Sequence, residues 1–434
     1  MREMKDSGIE WVGAIPNHWR VSKIKQIVRW KSVKGQPDLP VLSLYRDYGV
    51  IPKDSRDDNH NVTSLDTSGY KVVEHGDLVI NKMKAWQGSL AVSEYNGIVS
   101  PAYHICKITS ENICKKYLHY LLRDASYLPE YMRLSTGLRV GQWDLSFDDF
   151  KNIPFLVPPL AEQERIAAFL DAECAEIDAV LEKTRASIEE YKKLKQAVIT
   201  QAVTKGVRGD RPMKDSGIEW IGDIPAEWEI RKIFRAINKV GDIDHYMPDS
   251  VDDGIPYLMT GDLQEKLSDV NLKRCKKVSF QDYEMLSSKI RVSKGDVIFA
   301  RYATIGTVCF VDTEDSILVS YACLIIKPNS SLLYGEFLFY YLKSTAFLEE
   351  IKQYIKANTQ ANVGLDSVSK AKIALPSVHE QQKIVEYLRD KCKKIDALIA
   401  KKQQYLTEIE NYKKSLIYEY VTGKKEVKTS VLAN

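Results

Sequence analysis

Met4-Lys5-Asp6-Ser7-Gly8-Ile9-Glu10-Trp11 returns unchanged as Met213-Lys214-Asp215-Ser216-Gly217-Ile218-Glu219-Trp220. The likeness continues through Gly13/Gly222, Ile15/Ile224, Pro16/Pro225 and Trp19/Trp228. Twelve of the seventeen positions from Met4 to Arg20 thus recur at an offset of 209. Chance does not produce this, and self-similarity at one long offset marks a chain built of repeated units. A second matched stretch lies further on. Pro158, Glu162, Gln163, Ile166, Leu170, Cys174, Ile177, Asp178 and Ala179 recur as Pro376, Glu380, Gln381, Ile384, Leu388, Cys392, Ile395, Asp396 and Ala397, offset by 218. Val203-Thr204 and Val421-Thr422 keep that offset. The chain is two copies of one plan: a short opening motif, a long middle and a long helix.

The two middles have drifted but share a skeleton. Gly76-Asp77-Leu78-Val79-Ile80 answers Gly295-Asp296-Val297-Ile298-Phe299, and Tyr117–Leu122 answers Phe337–Leu342. Gly-Asp before a short apolar, β-branched run reads as a turn into a buried strand; the aromatic-rich runs have helical length. Each middle is therefore expected to be mixed α+β, with the Gly-Asp residues as turn formers.

In the repeated tail, residues 177, 181, 184, 188, 191, 195, 198 and 202 read Ile, Leu, Thr, Ile, Tyr, Lys, Val and Ala at strict 4-3 spacing. Adding 218 gives Ile395, Ile399, Lys402, Leu406, Ile409, Lys413, Leu416 and Tyr420 in the same phase. Such a period is a coiled-coil seam, interrupted here by polar residues at matching places. From Ala161 to Thr204 a helix would span roughly 65 Å at ~1.5 Å per residue. Prolines (Pro158-Pro159, Pro376) and glycines (Gly206, Gly423) bracket the two helices. Both helices carry the same seam, which predicts that they pack together, antiparallel.

Composition excludes more than it assigns. The 434 residues allow two to four domains with real cores. A formal net charge of +3 announces neither a nucleic-acid binder nor a membrane-surface protein. Seven cysteines without a CxxC pair argue against a secreted disulfide framework. The longest apolar run, 317–326, is too short for a membrane span, and the first residues lack a signal-peptide core. A cytoplasmic protein without a membrane role is expected.

Catalytic signatures are missing. There is no Walker loop, GxSxG or GxGxxG. The methyltransferase-like Asn/Asp-Pro-Pro motif is matched only by Val157-Pro158-Pro159-Leu160, at a helix start. Glu190-Tyr191-Lys192 has nuclease-like spacing but sits inside the seam helix. The seven histidines form no HxH or HxxxH pair, so neither a catalytic nor a metal site is assigned. A binding protein is the expectation; a coiled-coil scaffold without a DNA role and a self-contained DNA methyltransferase or nuclease are the competing classes.

Several loop-like stretches of the middles mix basic, amide and aromatic side chains. They contain Arg46, Lys82, Lys84, Trp86, Gln87, Arg133, Thr136, Arg139, Gln142 and Trp143 in the first middle. The second contributes Thr260, Arg301, Tyr302, Thr304, Lys356, Asn358, Thr359, Gln360 and Asn362. Arginine bidentate to guanine and Asn/Gln bidentate to adenine read the major groove, while lysine pairs with phosphates. Lys82 and Arg301 both follow the Gly-Asp strand.

A duplicated Lys-Asp-Ser-Gly-Ile-Glu-Trp-x-Gly-x-Ile-Pro-x-x-Trp motif, a variable middle, and helices opened by Pro-Pro-Leu-Ala-Glu-Gln-Glu-Arg-Ile and Pro-Ser-Val-His-Glu-Gln-Gln-Lys-Ile form a highly specific arrangement. It resembles the specificity subunit of type I restriction–modification systems over essentially the whole chain. The second helix departs slightly, with Ser377-Val378 where the first has Pro-Leu. The resemblance implies an α+β fold of two mixed α/β target recognition domains separated by an antiparallel coiled coil, with an internal pseudo-two-fold repeat. The division is then 1–157 for the first recognition domain (opening motif 4–20), 158–206 for the first helix, 207–375 for the linker and second recognition domain (opening motif 213–228), 376–425 for the second helix and 426–434 for a flexible tail. The implied role is a non-catalytic DNA-recognition subunit reading a bipartite, asymmetric site on double-stranded DNA. The implied partners are two modification subunits, which bring S-adenosylmethionine and methylate adenine, and an ATP/Mg-dependent restriction/translocase subunit that can join. The repeated helix starts, Glu162, Gln163, Ile166, Glu380, Gln381 and Ile384, are then candidates for partner contact.

Overall fold

The computed structural model describes residues 2–46, 48–56, 63–137, 143–302, 305–354 and 363–428. The chain forms two compact units, Met1–Arg185 with Gln404–Asn434, and Ala186–Gln403. The α+β class expected from the sequence is observed, with two helices far longer than the rest, Leu160–Lys205 and Val378–Val421. Among the described residues no helix is long and apolar enough to cross a membrane, and all seven cysteines are free thiols.

The first unit is built on a four-stranded antiparallel sheet in the order Val28–Lys31, Tyr103–Ile108, Asp77–Asn81, Leu90–Val92. The second repeats it as Ile237–Gly241, Cys323–Pro328, Val297–Ala300, Val308–Phe310. Asp77–Asn81 and Val297–Ala300 are buried along nearly their whole length, which is why their interiors read as apolar runs. Helices Lys115–Arg123 and Gly335–Lys343, the aromatic-rich runs of the sequence, bury Tyr117, Leu118, Leu121 and Leu122 in one unit and Phe337 through Leu342 in the other.

Each middle closes on itself before its long helix begins. Arg20–Lys23 pairs antiparallel with Pro154–Val157, and Glu229–Lys232 with Lys372–Leu375. Differences lie in the insertions: the first unit has a hairpin of Leu42–Tyr45 with Gly49–Pro52, whereas the second has strands Lys276–Val278, Ile255–Leu258 and Leu318–Val319 beside helix Phe280–Ser287.

Within each unit the long helices run antiparallel. In the first, Phe169 packs on Tyr420 (4.5 Å), Lys413 pairs with Asp178 (2.6 Å) and Arg185 with Glu410 (2.7 Å), so the partner number falls as the residue number rises. In the second, Lys195 pairs with Asp396 (2.8 Å), and Lys402 lies over the Tyr191 ring at 5.7 Å. Lys195 and Lys413 are repeat mates, as are Asp178 and Asp396. Two of the polar seam positions, Lys195 and Lys413, therefore make cross-helix ion pairs, whereas Thr184 bonds back to Val180 O; a polar seam position fixes register where an all-apolar seam could slide. Of the terminal segment 426–434, Glu426 pairs with Arg2 (3.1 Å) and Val427 is buried; residues after Lys428 lie outside the described ones.

Candidate nucleic-acid interface

The Gly-Asp turns behave as expected. Gly76 and Gly295 adopt φ of 89° and 90°, the left-handed region open to glycine. The buried Asp77 accepts from Glu74 N–H (2.9 Å) and Lys31 (3.0 Å); the buried Asp296 accepts from Ser293 N–H (2.8 Å) and Lys327 (2.5 Å). Burial pushes the Asp296 carboxyl up, with Lys327 acting against it. These aspartates are anchors inside the unit, not groups that face DNA.

Each turn launches a strand that ends on a cationic residue in the same backbone frame. Lys82 N–H donates to Ala102 O (3.3 Å) and Lys82 O accepts from Leu145 N–H (2.9 Å). Arg301 N–H donates to Ala322 O (3.0 Å) and Arg301 O accepts from Val363 N–H (3.1 Å). One scaffold thus presents two different side chains.

In the first unit the sequence candidates converge. Lys82 pairs with Asp144 (2.9 Å), which is bridged through its backbone to Thr136. Trp86 packs edge-on against Trp143, ring centres 5.2 Å apart, and its indole N–H donates to Met83 O (3.2 Å). Lys84 and Gln87 are exposed on the same loop. Arg133 is exposed but holds Glu130 with two 2.7 Å bonds. Arg46 is exposed on the hairpin, apart from this loop in sequence, with its carbonyl accepting from Arg123.

Sequence reading missed two lysines here. Burial lowers the Lys71 amine below its usual value, and the charges of Lys34 and Lys82 push it down further, so the three cations share one field. Lys71 donates to Tyr103 O (2.6 Å) and Lys34 is exposed. Lys34, Lys71 and Lys82 come from separate strands and loops, so no local charge run announced them.

In the second unit Arg301 is held within the fold. Its side chain is only 12% exposed, is ion-paired with Asp242 and donates to Tyr302 Oη (3.0 Å). A guanidinium committed to a buried carboxylate does not offer a bidentate fork to guanine. Tyr302 and Thr260 are half-buried nearby in sequence to this frame and its neighbouring strand. Tyr246, Met247 and Met259 are exposed in this unit, and His245 stacks on Tyr321 at 4.6 Å. Arg139, Gln142, Thr304, Lys356, Asn358, Thr359, Gln360 and Asn362 lie outside the described residues.

The six partner candidates at the helix starts are all buried within their own unit. Glu162 accepts from Trp19 Nε1 (3.1 Å), His18 Nε2 (2.8 Å) and Arg2 (2.5 Å); Glu380 accepts from Trp228 Nε1 (3.0 Å) and Arg211 (2.5 Å). Burial works to raise the Glu162 carboxyl, but His18 and Arg2 hold it below its usual value. Gln163 accepts from Cys114 N–H and donates to Asn112 O and Pro158 O. Gln381 does the same with Tyr334 N–H, Leu332 O and Pro376 O. Ile166 and Ile384 fill the cores below. The Glu-Gln pair fastens each helix start to its opening motif and middle, a packing role that accounts for its recurrence.

Among the described residues no group of three or more His, Cys, Asp or Glu side chains is arranged to hold a metal ion. Residues 16–190 and 225–411 each match the family model described as the type I restriction modification DNA specificity domain. The chain is 24% identical over 431 residues to the type I restriction enzyme MjaVIII specificity subunit of Methanocaldococcus jannaschii, covering 95% of this chain and 94% of that one. It is 23% identical over 328 residues to the type I restriction enzyme EcoBI specificity subunit of Escherichia coli, covering 74% and 68%. A solved structure from work on complex assembly and conformational transition of the type I R-M system superimposes with a TM-score of 0.69 at 15% identity, over 95% of this chain and 99% of that one. That likeness establishes the fold.

Proposed function

Because the chain belongs to the type I restriction modification DNA specificity family, we propose that each of its two units reads one half of a bipartite, asymmetric DNA site. The observation that carries this is the doubled frame: one sheet order and one strand-end geometry, fitted with different loops in the two units. Identical readers would need identical loops, so two unlike half-sites follow. In the first unit Lys34, Lys82 and Lys84 supply phosphate contact, with the buried Lys71 adding to their field and Trp86, Gln87, Thr136 and Trp143 beside them. In the second, Tyr302 and the exposed Tyr246 and Met259 favour shape and apolar contact. The two long helices, each contributing to both units, set the number of unread base pairs.

The chain itself performs no chemistry in this reading. Two modification subunits supply S-adenosylmethionine and methylate adenine, a restriction/translocase subunit supplies ATP/Mg-dependent action, and the complex works in the cytoplasm. Methylated adenines are mapped across the source genome with and without this gene. One bipartite motif with unlike halves should vanish on deletion. An unchanged set of motifs contradicts the proposal.

A further inference from the structure

One charge arrangement recurs in both units where the sequence around it has drifted. In the first unit Arg29 stands directly opposite Lys107 on the paired strands Val28–Lys31 and Tyr103–Ile108. In the second, Lys239 stands directly opposite Lys327 on Ile237–Gly241 and Cys323–Pro328. The next residues along the outer strands, Trp30 and Lys31 against Val240 and Gly241, do not match. Both rungs adjoin the Gly-Asp turn: Lys107 lies opposite Asp77, and Lys327 holds Asp296 at 2.5 Å. Like charges directly across an antiparallel pair destabilise a sheet, so packing alone does not account for carrying the pair twice.

Among the described residues neither unit neutralises its pair. Arg29 and Lys107 are exposed and make no ion pair or side-chain hydrogen bond there. The field of Lys107 reaches Glu74, but Lys31 already holds that carboxylate at 2.8 Å. Lys239 is exposed and donates to the neutral carbonyl of Lys289 (2.6 Å), which leaves Asp296 to balance Lys327 alone. That carbonyl belongs to the loop after helix Phe280–Ser287, and loop and strands together line a cleft of about 390 Å³. Lys239, Lys289, Arg291 and Lys327 line it with three serines, and no carboxylate does. Asp242 and Asp244 approach Lys289 at 3.4 and 3.5 Å, and Glu284 holds Arg291 at 2.8 Å; both cations still stay half exposed.

We propose that each rung seats one phosphate of the DNA backbone and so fixes where its unit stands on the duplex; the inference rests on the function proposed above. The two half-sites differ in their bases and share their backbone, so chemistry repeated in both units fits the backbone and not the bases. Two cations on adjacent strands, with Cβ atoms ~5 Å apart, bracket a single phosphate, whose charge relieves the repulsion between them. Along the strand the rung precedes Lys82 in one unit and Arg301 in the other by the step from Asp77 or Asp296, ~16 Å at ~3.3 Å per residue. That exceeds the ~12 Å width of the major groove. A unit that reads bases from its strand end therefore meets the bordering backbone at the rung.

The full chain, assembled with its modification subunits, is compared with Arg29→Gln, Lys239→Gln and the double variant on duplexes carrying the mapped site or a scrambled one. Each single variant should flatten the slope of log Kobs against log salt by ~1, and the double variant by ~2. Binding to both duplexes should weaken by one factor, with the methylated motif unchanged. Single methylphosphonates, each removing one backbone charge, are then walked through both half-sites. In Arg29→Gln one position in the first half should cease to matter while its counterpart in the second half still does, and in Lys239→Gln the reverse. Wild-type slopes and methylphosphonate profiles in the variants overturn the seats and leave the DNA-reading role standing. Wild type that binds the two duplexes alike overturns that role, and the seats with it. A changed motif marks a base contact and overturns the seats. So does loss of inorganic phosphate binding in Lys239→Gln with the DNA slope intact, which marks a free-anion site. Because each variant removes a like-charge repulsion, its urea midpoint should not fall; a fall assigns the rung to packing and overturns the seats.

Discussion

Replacing Glu380 by Ala should loosen the second unit at the seat of its recognition domain. The carboxylate is buried and has two partners, the fully buried Trp228 indole N–H at 3.0 Å and the Arg211 guanidinium, itself only 9% exposed. Orphaning a buried donor costs about 1–3 kcal/mol, and stripping one partner from a buried ion pair costs about 3–5 kcal/mol. The second figure is softened here, because Arg211 keeps Glu227 at 3.1 Å, the Lys205 carbonyl at 2.8 Å and the face of Trp228. The combined loss should be about 3 kcal/mol, since the two terms share one residue and do not add. Glu380→Gln keeps an oxygen for Trp228 and gives up the charge, so about half that loss is expected. Urea unfolding read by hydrogen exchange in the paired strands Glu229–Lys232 and Lys372–Leu375 isolates this unit. A Glu380→Ala loss below ~0.5 kcal/mol, or equal losses for Ala and Gln, refutes the idea that this carboxylate fastens opening motif to helix.

Charge reversal tests the register of the helices: Lys413→Asp should destabilise the first unit by about 1 kcal/mol and Asp178→Lys in the same chain should restore much of it, whereas independent losses would deny the pair its role. Asp144→Asn releases Lys82, so the slope of log Kobs against log salt for DNA should steepen by up to ~1, and Lys82→Ala should flatten it by ~1; unchanged slopes would remove Lys82 from the phosphate surface. Burial, aided by the charge of Arg123, pushes the His119 imidazole down to about 3. The fold therefore favours neutral His119, and its contribution is complete above about pH 6.5 and falls by up to ~1.4 kcal/mol per pH unit as pH drops from there toward 3. His119→Gln should flatten the stability–pH curve of the first unit over that window; a curve parallel to wild type would contradict the assignment.

Local and periodic features were legible in the sequence. The opening motif marked both units, the Gly-Asp turns marked a buried strand in each, and proline and glycine brackets placed the long helices near Leu160–Lys205 and Val378–Val421, the 376–425 expectation overrunning the second helix by four residues. The seam predicted antiparallel packing, and two of its polar positions proved to form the Lys195–Asp396 and Lys413–Asp178 pairs. Long-range polar pairing was not legible. Asp242 lies 59 residues from Arg301, and nothing local shows that it takes the guanidinium out of reach. The packing role of the Glu-Gln helix starts was not legible for a related reason: repeat identity reports constraint, and a buried carboxylate under a tryptophan is as constrained as a binding surface. Burial separates the two cases, and burial comes only with the fold.

The central claim is that each unit reads its half-site independently. It is tested most directly by replacing residues 21–157 with the matching middle of another family member and mapping adenine methylation by the reconstituted complex. One half of the motif should change, while the other half and the spacing stay as they were. A motif altered in both halves, or in neither, would contradict the account.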